Sequence, residues 1–198
     1  MSKIKRFKIA LILAFISTVL ISFVNFGTSC ESITNKVIRF HIPAASNSDY
    51  DQNLKLKVKD EIFLYVTKML ENSKSYKESL DIISNNIENI ENKVNLILIE
   101  EGAEYKAEAK IKESFFKTRK YEGFTLPAGS YKSLYIKLGS GEGENWWCAL
   151  YPSLCLNPAF GEKVLTENEQ DIIESQSENE ISFLIYEWFL SLKIFLGL

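Results

Sequence analysis

Residues 9–26 constrain this chain more than any other stretch. They are eighteen consecutive residues without a charge, broken only by Ser17, Thr18, Ser22 and Asn25. Lys3, Lys5, Arg6 and Lys8 lie on the amino side, and no acidic residue precedes Glu31. A positive segment followed by an apolar run is the export pattern. A buried core helix fits poorly, because the run is apolar all round, terminal, and flanked by charge on one side only. The chain therefore divides into residues 1–29, a signal peptide or signal anchor, and an exported body. Gly27-Thr28-Ser29 suits cleavage before Cys30, yet the run is also long enough to stay as an uncleaved anchor. Cys30 after small residues suggests lipidation, although Gly27 stands where such a site has Leu. The fate of the segment stays open.

The body is acidic. Without the four amino-terminal basic residues it holds 19 basic and 26 acidic residues, a net of −7. Such a body repels phosphates, and no basic stripe interleaved with aromatics offsets it, so nucleic acid is excluded as a partner.

Residues 36–42 read as a strand ended by Pro43. Residues 51–71 are the clearest helix, with Leu54, Val58, Ile62, Val66 and Met69 on one face. Lys55, Lys57, Lys59 and Asp60 cluster in its amino half, as a solvated face or a docking face for a partner. A second helical region starts near Ser75. Leu80, Ile83, Ile87, Ile90 and Val94 make its stripe, and five asparagines are positioned to break it in two. Residues 95–99 read equally as helix or strand. Residues 105–113 alternate strictly and predict a half-buried strand. Residues 131–138 predict another. The expected fold is α+β: one small domain over 36–160, with an antiparallel sheet covered on one face by two or three helices. Residues 161–180 read as a flexible acidic linker. Residues 181–198 are strongly apolar. They read first as a final core strand or helix, with a membrane-meeting surface or a true span as alternatives.

The compositional oddity is residues 139–155, GSGEGENWWCALYPSLC. The glycines imitate a phosphate cradle, but the P-loop lysine is missing and Glu142 and Glu144 repel phosphate. Cys148 and Cys155 straddle Pro152 and suit a disulfide in an oxidising compartment. That bridge fixes residues 149–154 and the neighbouring Trp146 and Trp147. Such a rigid aromatic loop resembles an interaction hot spot, and a stapled surface loop over core tryptophans is an equal alternative. His41, the single histidine, has nothing local to pair it with a cysteine nucleophile. One histidine and a few cysteines also lack metal-ligand spacing. No catalytic, cofactor or metal site is expected.

Four blocks carry a resemblance. They are Ile38-Arg39-Phe40-His41, residues 51–60 (DQNLKLKVKD), residues 126–131 (LPAGSY) and residues 141–155 (GEGENWWCALYPSLC). In this order and spacing they resemble the stage II sporulation protein R family of endospore-forming bacteria. One departure is the loop after His41, where Asn47-Ser48-Asp49 sits two residues later than in the family. The resemblance implies a signal rather than an enzyme, exported across the forespore membrane into the space between forespore and mother cell. There it would activate a membrane-embedded aspartic protease, which cleaves the precursor of the early mother-cell sigma factor. Membrane contact would run through the amino-terminal segment if uncleaved. The expected contact residues are Asn145, Trp146 and Trp147, with Lys55, Lys57, Lys59 and Asp60 second. An exported peptidoglycan-binding or peptidoglycan-hydrolysing protein is the alternative, with the tryptophans stacking on sugars and Asp51 or Asp60 as carboxylate.

Overall fold

A computed structural model describes residues 3–154, 164–175 and 179–197. The apolar amino-terminal run lies within one long helix, α1 (Lys3–Thr34). It is exposed along residues 4–22, and its last turns enter the domain, where Cys30 and Ile33 are fully buried. The helix runs unbroken through Gly27, Thr28 and Ser29.

The domain is α+β, built on four strands: β1 (Ile38–Pro43), β2 (Ala107–Phe116), β5 (Gly129–Leu138) and β6 (Asn145–Tyr151). Their order is β2-β5-β1-β6, and the short β3 (Arg119–Lys120) and β4 (Thr125–Leu126) pair separately. The α+β class and the single small domain are as expected. Within the sheet, β1 runs parallel to β5 while the other pairs are antiparallel, so the sheet is mixed. The cause is connection length: helices lie between β1 and its neighbour, and a crossover that long permits parallel pairing.

Three helices cover one face: α2 (Asp49–Met69), α3 (Tyr76–Asn85) and α4 (Ile87–Glu100). α2 starts where Ser48 leaves its hydroxyl to accept from the Asp51 N–H (3.2 Å). The three-four spacing of Leu54, Val58, Ile62 and Val66 then buries one stripe against β1 and β6. Asn86 divides α3 from α4, and residues 95–99 are helical. α4 also protects the β2 edge. Asn95 Oδ1 accepts from the Ala107 N–H (2.8 Å) and Glu91 from the Ala109 N–H (2.8 Å).

The opposite face is half covered, by the end of α1, by α5 (Glu167–Glu174) and by α6 (Glu180–Phe195) around a second apolar cluster. The stretch read as an acidic linker thus holds a packed helix. Thr166 and Glu169 form a reciprocal capping box, Ile172 and Ile173 are buried, and the Glu169 carboxylate is paired with Lys36 at 2.7 Å. Alternating acids hid two adjacent isoleucines on a single helical turn.

Candidate functional site

Residues 145–151, expected as a loop, form the edge strand β6, antiparallel to β1. The period of two then decides where each side chain points. Ile38, Phe40 and Ile42 face the helices, and Arg39 and His41 face the other way. Opposite them, Trp146 and Cys148 join the helix-side core, while Trp147 and Ala149 take the other face. The two adjacent tryptophans are separated by the sheet.

His41 and Trp147 are cross-strand partners. Their rings stack at 3.8 Å between centroids, 15° from parallel. Tyr135 meets His41 edge-on at 5.0 Å, Phe116 meets Trp147 edge-on at 5.1 Å, and the Arg119 guanidinium lies 5.4 Å from the Trp147 ring. Asn145 Oδ1 lies 2.8 Å from His41 Nε2, so it accepts that N–H in the neutral ring. Lys110 and Lys112 lie over the exposed side of Tyr135, at 5.8 and 5.1 Å. This half of the face is aromatic and basic on a body whose net charge is negative, and no helix among the described residues covers it.

Burial pushes the His41 imidazole from its ordinary 6.5 down to about 4, against the bond to Asn145, with Lys112, Arg39 and Arg119 adding repulsion. The ring is neutral at physiological pH. Beneath it, Arg39 is fully buried. Its guanidinium lies 4.6 Å from the Phe116 ring centroid and 5.1 Å from that of Tyr131, and Nη2 donates to the Tyr121 hydroxyl at 2.6 Å. Nε and Nη1 meet no acceptor among the described residues. The aromatic faces partly replace water for this charge.

The other expected contact residues lie on the helix side or inside. Trp146 packs edge-on against Phe40 (5.7 Å) and Phe63 (6.4 Å), with Lys59 Nζ 5.4 Å from its ring. Lys59 also pairs with exposed Asp60, and Lys57 pairs with Glu101. Lys55 is buried, donating to the Glu144 carbonyl at 3.0 Å, and burial pushes its ammonium below the ordinary value. Asp51, one of the two carboxylates named for the cell-wall reading, accepts from Ser46 and Tyr105. Burial would raise it, but these bonds together with Ser48 hold it below the usual range. Cys148 is buried, and Cys155 lies outside the described residues.

The glycine-rich lead-in is tightly laced. Gly143 N–H donates to Ala44 O (2.9 Å), Glu144 N–H to Asn47 Oδ1 (2.7 Å), and Ser140 Oγ to Ala45 O (2.6 Å). A Cβ on Gly143 would sit 2.2 Å from the Ser46 carbonyl oxygen, so only glycine fits. The displaced Asn47 and Ser48 thus hold this loop and cap α2. Sequence reasoning missed His41, Tyr135 and Arg119 as parts of one surface with Arg39 buried beneath it. The available signal was the shared parity of Arg39 and His41 on an otherwise apolar strand.

The chain matches a protein-family model described as Stage II sporulation protein R over residues 34–160. It is 32% identical over 147 residues to the stage II sporulation protein R of Bacillus subtilis (strain 168). That alignment covers 74% of this chain and 66% of that protein, just under two thirds of its length. No solved structure matches the chain. The match takes in the whole of β1, α2, the β5–β6 loop and the His41–Trp147 stack, and the chain belongs to the stage II sporulation protein R family.

Proposed function

We propose that this protein is an exported signal of sporulation that activates a membrane-embedded aspartic protease on the mother-cell side. The protease then processes the precursor of the early mother-cell sigma factor. The protein acts by binding and has no chemistry of its own to perform. It works in the space between the forespore and mother-cell membranes, reached through the export segment that α1 contains. Activation requires that the domain bind the active state of the protease more tightly than the inactive one.

The observation that carries the reading is the His41–Trp147 stack within a protein of this family. Trp147, half-buried and held flat by His41, is a preorganised aromatic anchor of the kind that dominates interface energies. Asn145, Tyr135, Lys110, Lys112 and Arg119 form its polar and basic rim. The helix-side group Trp146, Lys57, Lys59 and Asp60 is the second contact surface. Two arrangements weigh against the cell-wall alternative: the tryptophans do not form one sugar-stacking platform, and of its two carboxylates Asp51 is committed to Ser46 and Tyr105 while Asp60 is paired with Lys59.

The test is reconstitution of the protease and the sigma precursor in vesicles. Adding this protein should start cleavage of the precursor. Absence of cleavage, together with release of muropeptides from purified peptidoglycan, would overturn the reading.

A further inference from the structure

The apolar segment that ends the chain forms α6, and its contacts determine how it lies. Phe183 and Tyr186 meet Phe26, with ring centroids 5.3 and 6.2 Å apart. Phe189 meets Phe23 at 5.7 Å. Residue numbers rise along α6 while they fall along α1, so the helices run antiparallel. α6 therefore turns back from the domain and descends beside the uncharged run of α1. From Phe189 to Phe195 it travels about 9 Å further at 1.5 Å per residue.

The side of α6 away from α1 is uncovered. Trp188 is 67% and Phe195 85% exposed, and Leu184, Leu192 and Leu196 are exposed with them. Glu187, the single acid in the segment after Glu180, is turned toward the domain, where its carboxylate accepts the Thr118 N–H at 2.8 Å. Lys193 lies in the last turn, where its long stem can carry the ammonium to a polar layer. α1 is exposed at the same level, and its eighteen uncharged residues span about 27 Å, close to the thickness of a bilayer's hydrocarbon. The two apolar surfaces are continuous, which fixes one occupant for both. A bilayer that takes α1 up to Phe26 also covers α6 from about Tyr186 onward.

We propose that the carboxy-terminal half of α6 inserts into the membrane beside α1. It enters the leaflet on the side to which the domain is exported. Trp188 sits at headgroup level, and Leu192, Phe195 and Leu196 sit among the acyl chains. The domain is then held against the bilayer by two helices rather than hung from one. α1 stays attached in this arrangement, with Phe23 and Phe26 packed on α6. The inference goes beyond the signalling reading and does not depend on it.

The experiment uses the full-length protein in phosphatidylcholine vesicles whose acyl chains carry bromine near the carbonyl end or at mid-chain. Subtracting the emission of Trp188→Phe from that of wild type isolates Trp188. The exposed, conservative substitution leaves the fold intact. The expected result is a blue-shifted Trp188 component, largely quenched by shallow bromines and less by deep ones. A red-shifted component indifferent to bromine would overturn the proposal by placing Trp188 in water. A blue-shifted component indifferent to bromine would overturn it by assigning the face to a second copy of the chain.

Discussion

Trp147 and His41 lie directly opposite each other across the β1–β6 ladder, with ring centroids 3.8 Å apart and planes 15° from parallel. The relationship is mutual. Trp147 removes water from the imidazole and keeps it neutral, and His41 fixes the plane of the indole.

The stack makes stability depend on acid. The folded ring titrates near 4 and the unfolded ring near 6.5. Between those values the unfolded chain holds a proton that the folded chain does not, so stability is complete above about 6.5 and declines as pH falls toward about 4. NMR titration should place the folded His41 midpoint near 4. Trp147→Ala, by letting water reach the ring, should move it up toward 6.5.

The adjacent tryptophans should respond differently to truncation. Trp146→Ala hollows the core between Phe40 and Phe63 and should cost roughly 3 kcal/mol in urea unfolding. Trp147→Ala, on the open face, should cost about half as much or less, leaving a folded protein.

Arg39 should not tolerate lysine. Its flat guanidinium packs against the Phe116 and Tyr131 rings while reaching the Tyr121 hydroxyl. A lysine ammonium is more strongly hydrated and cannot do both, so Arg39→Lys should lose about 2 kcal/mol or more in the same melts. Arg39→Met, which removes the buried charge altogether, should lose less.

A Cys148–Cys155 bridge should leave one titratable thiol, Cys30, when the protein is denatured without reductant. Three thiols would contradict the bridge. Its reduction should cost about 2–3 kcal/mol for so short a loop.

Much of the architecture was legible from periodicity. α2 declared itself through Leu54, Val58, Ile62 and Val66, and β2 through strict alternation, because each buries one face. β6 was not legible as a strand. The glycines before it and the cysteine spacing around Pro152 signal a loop, while Trp146, Trp147, Ala149 and Leu150 face two different apolar clusters and so hide any alternation. The parallel β1–β5 pair joins residues almost a hundred positions apart, which no local pattern encodes. The site was half visible: Trp147 and Asn145 stood out by composition, but His41 joined them only through the β1–β6 pairing. Lys55 looked like a surface charge, yet it is drawn inward by the Glu144 carbonyl, a contact set by the glycine-rich loop.

The most direct test of the central claim is precursor cleavage in vesicles holding the protease, with wild type and Trp147→Ala compared at equal folded concentration. Loss of the anchor should lower the cleavage rate roughly tenfold or more, the scale of a truncated hot spot of about 2 kcal/mol. A folded Trp147→Ala protein that supports cleavage at the wild-type rate would contradict the account.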